Sequence, residues 1–391
     1  MSIATDNPPV AASPPRKPRW NAHAVTHALD RLGLGFFSPF VRLVAGDEPE
    51  KQVHEITLNI VLPGVAFAIF LGLWALAASH IRTDAQKIPS PAETWAAWQG
   101  IVKFAKNESK KADAFEARMK TVAQKQIDVA DSQLPILEAA KAVGNTVEAA
   151  AIEGRIQATR ERAATYLERK YVGPPTFFTQ IATSLFTVTV GFAAATLIAV
   201  PLGILCGLSK PFNTAINPLI QIFKPVSPLA WLPIVFVIVT ALCKPSSGDS
   251  FITRAMLISA GTVTLCSLWP TLINTAVGVA GIDPDHMNVA KVLKLSWTQR
   301  IFKIVLPSAL PMIFTGMRLS LGVGWMVLIA ADMLAQNPGL GKFVWDTFQN
   351  GSTTSMAQIV CAVFAIGIIG FVLDRIMLIL QRLVSFDERA I

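Results

Sequence analysis

Charge is what this sequence has least of. Only 15% of its 391 residues are charged, while 52% are hydrophobic; a soluble domain carries about 25% charged residues. A soluble chain of this size covers its apolar core with a charged skin, so the shortage excludes an ordinary water-exposed globule and places much of the surface in hydrocarbon. Acidic residues are scarcer than basic ones, 26 against 34. The resulting +8 does not mark a nucleic-acid binder, because basic loops beside a lipid bilayer give the same sum. The expected partner is the bilayer, with no nucleic acid.

Patterns that carry chemistry are missing as well. The four cysteines (Cys206, Cys243, Cys266, Cys361) sit in or beside apolar stretches and form no CxxC or Cys/His cluster, so they read as free thiols packed among helices. His23, His27, His54, His80 and His286 lie outside the apolar segments and make neither a zincin motif nor a catalytic dyad, which argues against a membrane enzyme. No G-x-x-x-x-G-K-[ST] loop occurs, since Gly341-Lys342 lacks both the upstream glycine and the following hydroxyl. No cofactor or metal is expected in this chain, which cannot bind ATP in that way. An ion-coupled secondary carrier predicts internal repeats and intramembrane carboxylates. No convincing repeat is found, and the acidic candidates are Asp332 and Asp374, both near span ends. No signal peptide is visible either: the first apolar run begins at Ile56, behind a Pro-rich start from Asn7 to Trp20, so 1–55 reads as a partly disordered cytoplasmic segment.

What is present is a set of long apolar runs. A helix needs about 20 apolar residues to cross the hydrocarbon core, and six segments qualify: 56–79, 177–206, 214–243, 251–280, 308–335 and 355–382. Between Phe177 and Ile282 the only charges are Lys210, Lys224, Lys244, Asp249 and Arg254. Pro218, Pro225, Pro228 and Pro233 fall in the third segment, which should be kinked or partly unwound. Lys291, Lys294, Arg300 and Lys303 between spans four and five, with Arg382 and Arg389 after span six, outweigh Lys244, Arg254 and Lys342 on the other side. The positive-inside rule then makes both termini cytoplasmic, with 387–391 as a short tail, and puts 82–175 outside. This insertion is dense in charge. Phe115, Met119, Val122 and Val129, with Gln126 at the remaining seam position, and then Ile152, Ile156, Ala163 and Leu167, form two stripes separated near Pro135 and Gly144. They predict two antiparallel soluble helices, serving as a spacer hairpin or as a docking module.

The hydrophilic stretch 283–307 is the most informative. Val289, Val292, Leu293, Ile301, Phe302 and Ile304 supply apolar faces in a basic segment too polar to cross, and Pro307 is placed to open the next helix. Such an amphipathic segment rests on headgroups or enters a partner's groove. Its order also resembles the EAA loop of ABC-importer permeases, Glu-Ala-Ala, three residues, Gly, nine residues, Ile-x-Leu-Pro. Ala290, Ile304, Leu306 and Pro307 match in register; Asn288, Val289 and Lys294 depart at the Glu, first Ala and Gly positions, which points to a subgroup. Pro89-Ser90-Pro91, the run Lys224 to Pro233, Trp269-Pro270 with Asn274 to Gly278, and Phe314 to Arg318 are similar to permeases of the nitrate, cyanate and bicarbonate group. The likeness covers 56–91 and 172–386.

The resemblance implies an all-α polytopic protein with the MetI-like type I ABC-importer permease fold, first span 56–81 and core 176–386. It implies a non-enzymatic subunit that pairs with a second permease copy as a homodimer, takes two cytoplasmic ATPases, which bind the ATP and Mg, on its coupling loop (Asn288, Val289, Ala290, Val292, Leu293, Lys294, Ile304, Leu306, Pro307) and receives solute from a periplasmic binding protein. The location implied is the bacterial inner membrane. Nitrate, with nitrite, is the expected solute; bicarbonate, cyanate, sulfonate and taurine permeases share the architecture.

Nitrate is small and weakly hydrated, so its pathway needs dipoles and at most a cation, without a site that traps it. Intramembrane charge is functional by default. Arg318 lies about 15 Å into span five at 1.5 Å per residue; it either lowers the barrier to an anion or bonds carbonyls freed by the prolines of span three. Lys224 faces the same path or snorkels to the inner interface. Trp231 and Trp325 line the path or pack. Asp332 reads as a structural pairing and Asp374-Arg375 as an interfacial anchor. Gly316, Ser320 and Gly324, and Gly203 with Gly207, make small-residue stripes for a dimer contact or a moving interface, with Ser320 also a pathway candidate.

Overall fold

The computed structural model describes residues 25–26, 38–45, 49–81, 87–243 and 253–384. The start from Asn7 to Trp20, Lys244, Arg389 and the tail 387–391 lie outside the described residues. The described elements are helices: α1 Ser38–Ala45, α2 Pro49–His80, α3 Pro91–Ser132, α4 Leu134–Ala142, α5 Thr146–Glu168, α6 Phe177–Leu208, α7 Lys210–Phe223, α8 Pro228–Leu242, α9 Arg254–Ala280, α10 Pro284–Val292, α11 Trp297–Ala335, α12 Leu340–Gln349 and α13 Thr353–Val384.

Five of these (α2, α6, α9, α11, α13) are long and apolar enough to cross a membrane, and α7 with α8 makes a sixth as one span bent by 105°. The bend has a local cause. Pro228 confines Ser227 to the extended region (φ −60°, ψ 141°), which ends the helical path, and the Ser227 hydroxyl then accepts the Leu229 N–H at 3.3 Å to open α8. Pro218 and Pro233 stay inside helices, so only the Pro225 to Pro228 pair breaks the span.

The centre is α6, α9 and α11. Gly191 lies against Ala260 and Val263, and Gly203 against Leu272 and Thr275, so α6 and α9 run parallel; Gly278 against Met312 and Gly316 against Pro270 and Asn274 make α11 antiparallel to α9. A Cβ at Gly203 would stand 2.6 Å from Thr275 Cβ, and one at Gly316 2.8 Å from Asn274 Cβ. Both small-residue stripes therefore serve close helix approach, inside one chain and not between copies.

Two features depart from the helix boundaries expected. Span five does not begin at Pro307, because the helix already runs from Trp297. Over Ile301–Val305 it widens to a π turn, the Leu306 N–H reaching back to the Ile301 carbonyl. The wider turn gives the Pro307 ring room that a regular α turn withholds. The same four residues, Ile-Val-Leu-Pro, occur at Ile60 to Pro63 in α2, where Thr57–Val61 is likewise a π turn. The second departure is α12, absent from the hydropathy reading because it is short and amphipathic; it tucks Leu340 and Gly341 against the core between α11 and α13.

The insertion holds three helices. Ser90 caps α3 in a reciprocal capping box with Glu93, whose carboxyl is pulled down to about 2 by Lys87 and then by the Ser90 N–H. Its first turns belong to the core: Ala97 and Ile101 are buried among Phe177, Ala357 and Cys361, Trp98 meets Phe177 edge-on at 6.2 Å, and the Cys361 thiol reaches the Thr94 carbonyl at 3.1 Å. Further out, Ala130, Leu137, Ala149, Ile152 and Ile156 form a small core of their own. Ala123 and Ala130 fill the α3 seam in place of the exposed Val129, and Leu167 is exposed too, since alanines let the two helices approach closely. Glu108 is buried at the base, where Lys111 and the Tyr171 hydroxyl lower its carboxyl below the usual range.

Candidate functional site

The loop between α9 and α11 is a built surface. Asp283 caps α10, whose axis ends in a complete Schellman turn: the Leu295 N–H donates to the Ala290 carbonyl (3.1 Å) and the Lys294 N–H to the Lys291 carbonyl (3.0 Å). That turn needs a left-handed residue, and Lys294 supplies it with φ 49°. The glycine of the EAA pattern falls at this position, so its chemistry is that of a helix stop. Ser296 then opens the next helix in a second capping box with Gln299. Ala290 is fully buried; Val305, also fully buried, and Ile301, nearly so, pack against Ile204, Val279 and Ala309, which moors the loop to the ends of α6, α9 and α11. On the outer side Val289, Val292, Leu293, Trp297 and Phe302 stand exposed, Val292 at 81%, among the exposed Lys291, Lys294 and Lys303. Asn288 and Pro307 are exposed beside them, whereas Ile304 and Leu306 are half-buried.

In the spans, Arg318 bonds Asp374 of α13 in a two-pronged pair, Nε to Oδ1 at 2.6 Å and Nη2 to Oδ2 at 2.8 Å. It does not meet the carbonyls of span three, the structural partner expected for it. Asp374 is drawn off the interfacial role by this pair, and Arg375 lies over the Phe371 ring at 4.9 Å. Both members of the pair stay about one-third exposed, in a groove of about 450 Å³ with Thr315, Gly322 and Gln381.

Lys224 follows α7 at the break. Phe223 stacks on Trp269 (6.3 Å, 14° between planes), and Trp269 is about 17 Å from the Ala280 end of α9 at 1.5 Å per residue. Lys224 therefore lies beside the middle of α9, well above its loop-side end. Trp231 is half-buried beside Phe223 at 5.6 Å, and its indole N–H, like that of Trp269, has no partner among the described residues. Trp325 packs, its N–H donating to the Ile366 carbonyl at 3.0 Å. Ser320 is fully buried and takes both the Thr271 hydroxyl (2.7 Å) and the Thr271 N–H (3.0 Å), a donor set loose by the neighbouring Pro270.

One polar cluster went unread in the sequence beyond its single carboxylate. Asp332, fully buried, accepts the Ser184 hydroxyl at 2.7 Å and the Asn337 amide at 2.7 Å, and the Ser184 oxygen in turn accepts the Leu340 N–H at 2.9 Å. Gln336 turns the chain with φ 56°, and a Cβ at Gly339 would overlap Asp332 Oδ2 and Ser184 Oγ. The cluster pins α12 to α6 and α11, the structural pairing expected for Asp332. Its members are far apart in sequence, and the signal that was available is the Gln-Asn-Pro-Gly turn.

A family model described as binding-protein-dependent transport system inner membrane component matches residues 199–386. The chain is 38% identical over 210 residues to the nitrate import permease protein NrtB of Synechocystis sp., covering 54% of this chain and 70% of that one. It is 38% identical over 206 residues to the bicarbonate transport system permease protein CmpB of Synechococcus elongatus (52% and 68%) and 30% identical over 205 residues to the putative aliphatic sulfonates transport permease protein SsuC of Bacillus subtilis (52% and 68%). Among solved structures, the inward-facing MetNI methionine ABC transporter aligns with a TM-score of 0.43 at 18% identity, over 54% of this chain and 96% of that one.

Proposed function

The chain belongs to the family of binding-protein-dependent transport system inner membrane components, and from that premise we propose that it is the membrane-spanning subunit of an ATP-driven importer for a small inorganic anion, nitrate first. The observation that carries the reading is the loop from Asp283 to Pro307. An exposed apolar ridge flanked by lysines, rigidly moored to three spans, suits a partner that pushes better than it suits lipid. Two ATPase subunits seated there, on a pair of these chains, would pass nucleotide-driven closure directly to α6, α9 and α11. The basic residues of the loop favour a cytoplasmic position for it and for both termini by the positive-inside rule. The insertion then faces a periplasmic binding protein.

Nitrate is favoured by the likeness to nitrate permeases and by spans whose middle carries cations and amides rather than free carboxylates. Bicarbonate is the second reading, because the identity to a bicarbonate permease is the same 38%. Both are planar oxyanions of one charge, and a protein that delivers the solute would choose between them. The test is uptake into proteoliposomes that hold the permease, its ATPases and its binding protein. ATP-dependent nitrate accumulation is expected, with bicarbonate slower; no accumulation of nitrate with the full set of partners would remove the nitrate assignment.

A further inference from the structure

A groove of about 300 Å³ separates α7 from the loop-side half of α9. One wall is apolar and runs from Leu272 to Ala280, about 12 Å at the helical rise. The other carries Asn213, Asn217, Gln221 and Lys224. Spacings of four, four and three residues put these side chains on one face of α7, about 5 to 6 Å apart along its axis. On the adjoining flank Phe212, Ile216 and Ile220 pack against Ala199, Cys206 and Leu272, with Ile220 also lining the groove, and the face opposite the strip carries the exposed Leu219 and Ile222. α7 is thus amphipathic within the membrane.

Its direction fixes which end is deep. One residue, Ser209, separates α6 from α7, which starts at the level where Gly207 meets Val279 and finishes with Phe223 on Trp269. It climbs from the basic-loop side to mid-membrane, so the four polar residues mark out a strip over that half of the bilayer. Exposed amides and an exposed ammonium in hydrocarbon would each cost a few kcal/mol. Gln221 donates to Asn217 Oδ1 at 3.4 Å, which leaves the Asn217 amide N–H pair free, and Asn213 and Lys224 have no side-chain partner among the described residues. From Phe177 to Ile282 the single acidic residue of the sequence is Asp249.

On the importer reading just given, we infer that this strip is the inner half of the anion pathway: Lys224 receives a planar monovalent oxyanion at mid-membrane, and Gln221, Asn217 and Asn213 hand it down to the cytoplasmic side. Evenly spaced N–H donors offer an oxyanion two hydrogen bonds at each step and a full charge only once, so the ion is stabilised throughout and trapped nowhere.

The test uses the complete transporter in proteoliposomes with nitrate as probe. Asn217→Leu and Lys224→Met should each lower nitrate uptake at least tenfold while ATP hydrolysis stays within twofold, and Lys224→Arg should recover at least half of the uptake. In a chain whose four cysteines are replaced, Asn213→Cys and Asn217→Cys should react with a charged, membrane-impermeant thiosulfonate added from the loop side, at least threefold more slowly with nitrate present. Leu219→Cys and Ile222→Cys, on exposed apolar positions of the same helix, should not react. Full uptake by Asn217→Leu and Lys224→Met overturns the inference. So does an Asn217→Cys that reacts only with a lipid-soluble maleimide, which would make the strip lipid-facing, or one that crosslinks two copies, which would make it a subunit contact. The cysteine readout needs no transport, so it decides the groove even if the unmodified complex takes up no nitrate, a result that would count against the importer reading instead.

Discussion

Arg318 and Asp374 illustrate what a residue's own chemistry leaves open. A lone guanidinium at mid-span signals either function or a hidden partner, and the partner came from a different span, 56 residues away. The pair is half-open, so it is worth less than a buried pair and more than a surface one. Removing one member leaves the other charge uncompensated. Arg318→Gln or Asp374→Asn alone should each lower stability by about 1 to 2 kcal/mol, with the double variant closer to the unmodified protein than either, as read by thermal unfolding in detergent. If Arg318→Gln also keeps full anion flux in the assembled complex, Arg318 is a clasp between α11 and α13 and plays no part in the pathway. Ser320 shows the converse. Its small size marked it as a helix-contact position in the sequence, and its hydroxyl is occupied by Thr271, a bond that depends on the kink at Pro270 in another helix.

At the scale of elements, the long spans were legible because hydropathy over about 20 residues is a strong signal. The ends were less so. The sequence placed the start of span five at Pro307, since proline favours the first helical turn, but a π turn let the helix continue through it. α12 escaped because a ten-residue amphipathic helix carries no membrane signal of its own. The stop of α10 was half legible: the loop motif has glycine where this chain has Lys294, and the reason became visible only in φ 49°. A left-handed non-glycine residue costs about 1 kcal/mol or somewhat more. Lys294→Gly should therefore raise the unfolding temperature slightly, while Lys294→Val should lower it and weaken association with the ATPases; equal melting of all three would show that the turn is not under strain.

For the whole molecule, the informative surfaces are those that a single chain leaves uncovered. The ridge of Val289, Val292, Leu293 and Phe302 is the largest exposed apolar feature of the basic loop. Phe302→Asp and Val292→Asp should reduce co-purification with the ATPase subunits at least fivefold, with the permease itself still folded; unchanged co-purification would move the contact elsewhere. The insertion changes meaning at this scale too. Its outer helices have their own small core, but Ala97 and Ile101 are part of the central one, so its base is a structural piece of the permease. The order of apolar runs, the family of the basic loop and the break in span three were all set by the sequence alone, because each depends on composition or on residues close together in the chain. Which helices meet, where Arg318 finds its carboxylate, where along α9 Lys224 lies and which face of α7 is free were decided by tertiary structure, because each is a relation between distant segments that exists only once α6, α9 and α11 have packed.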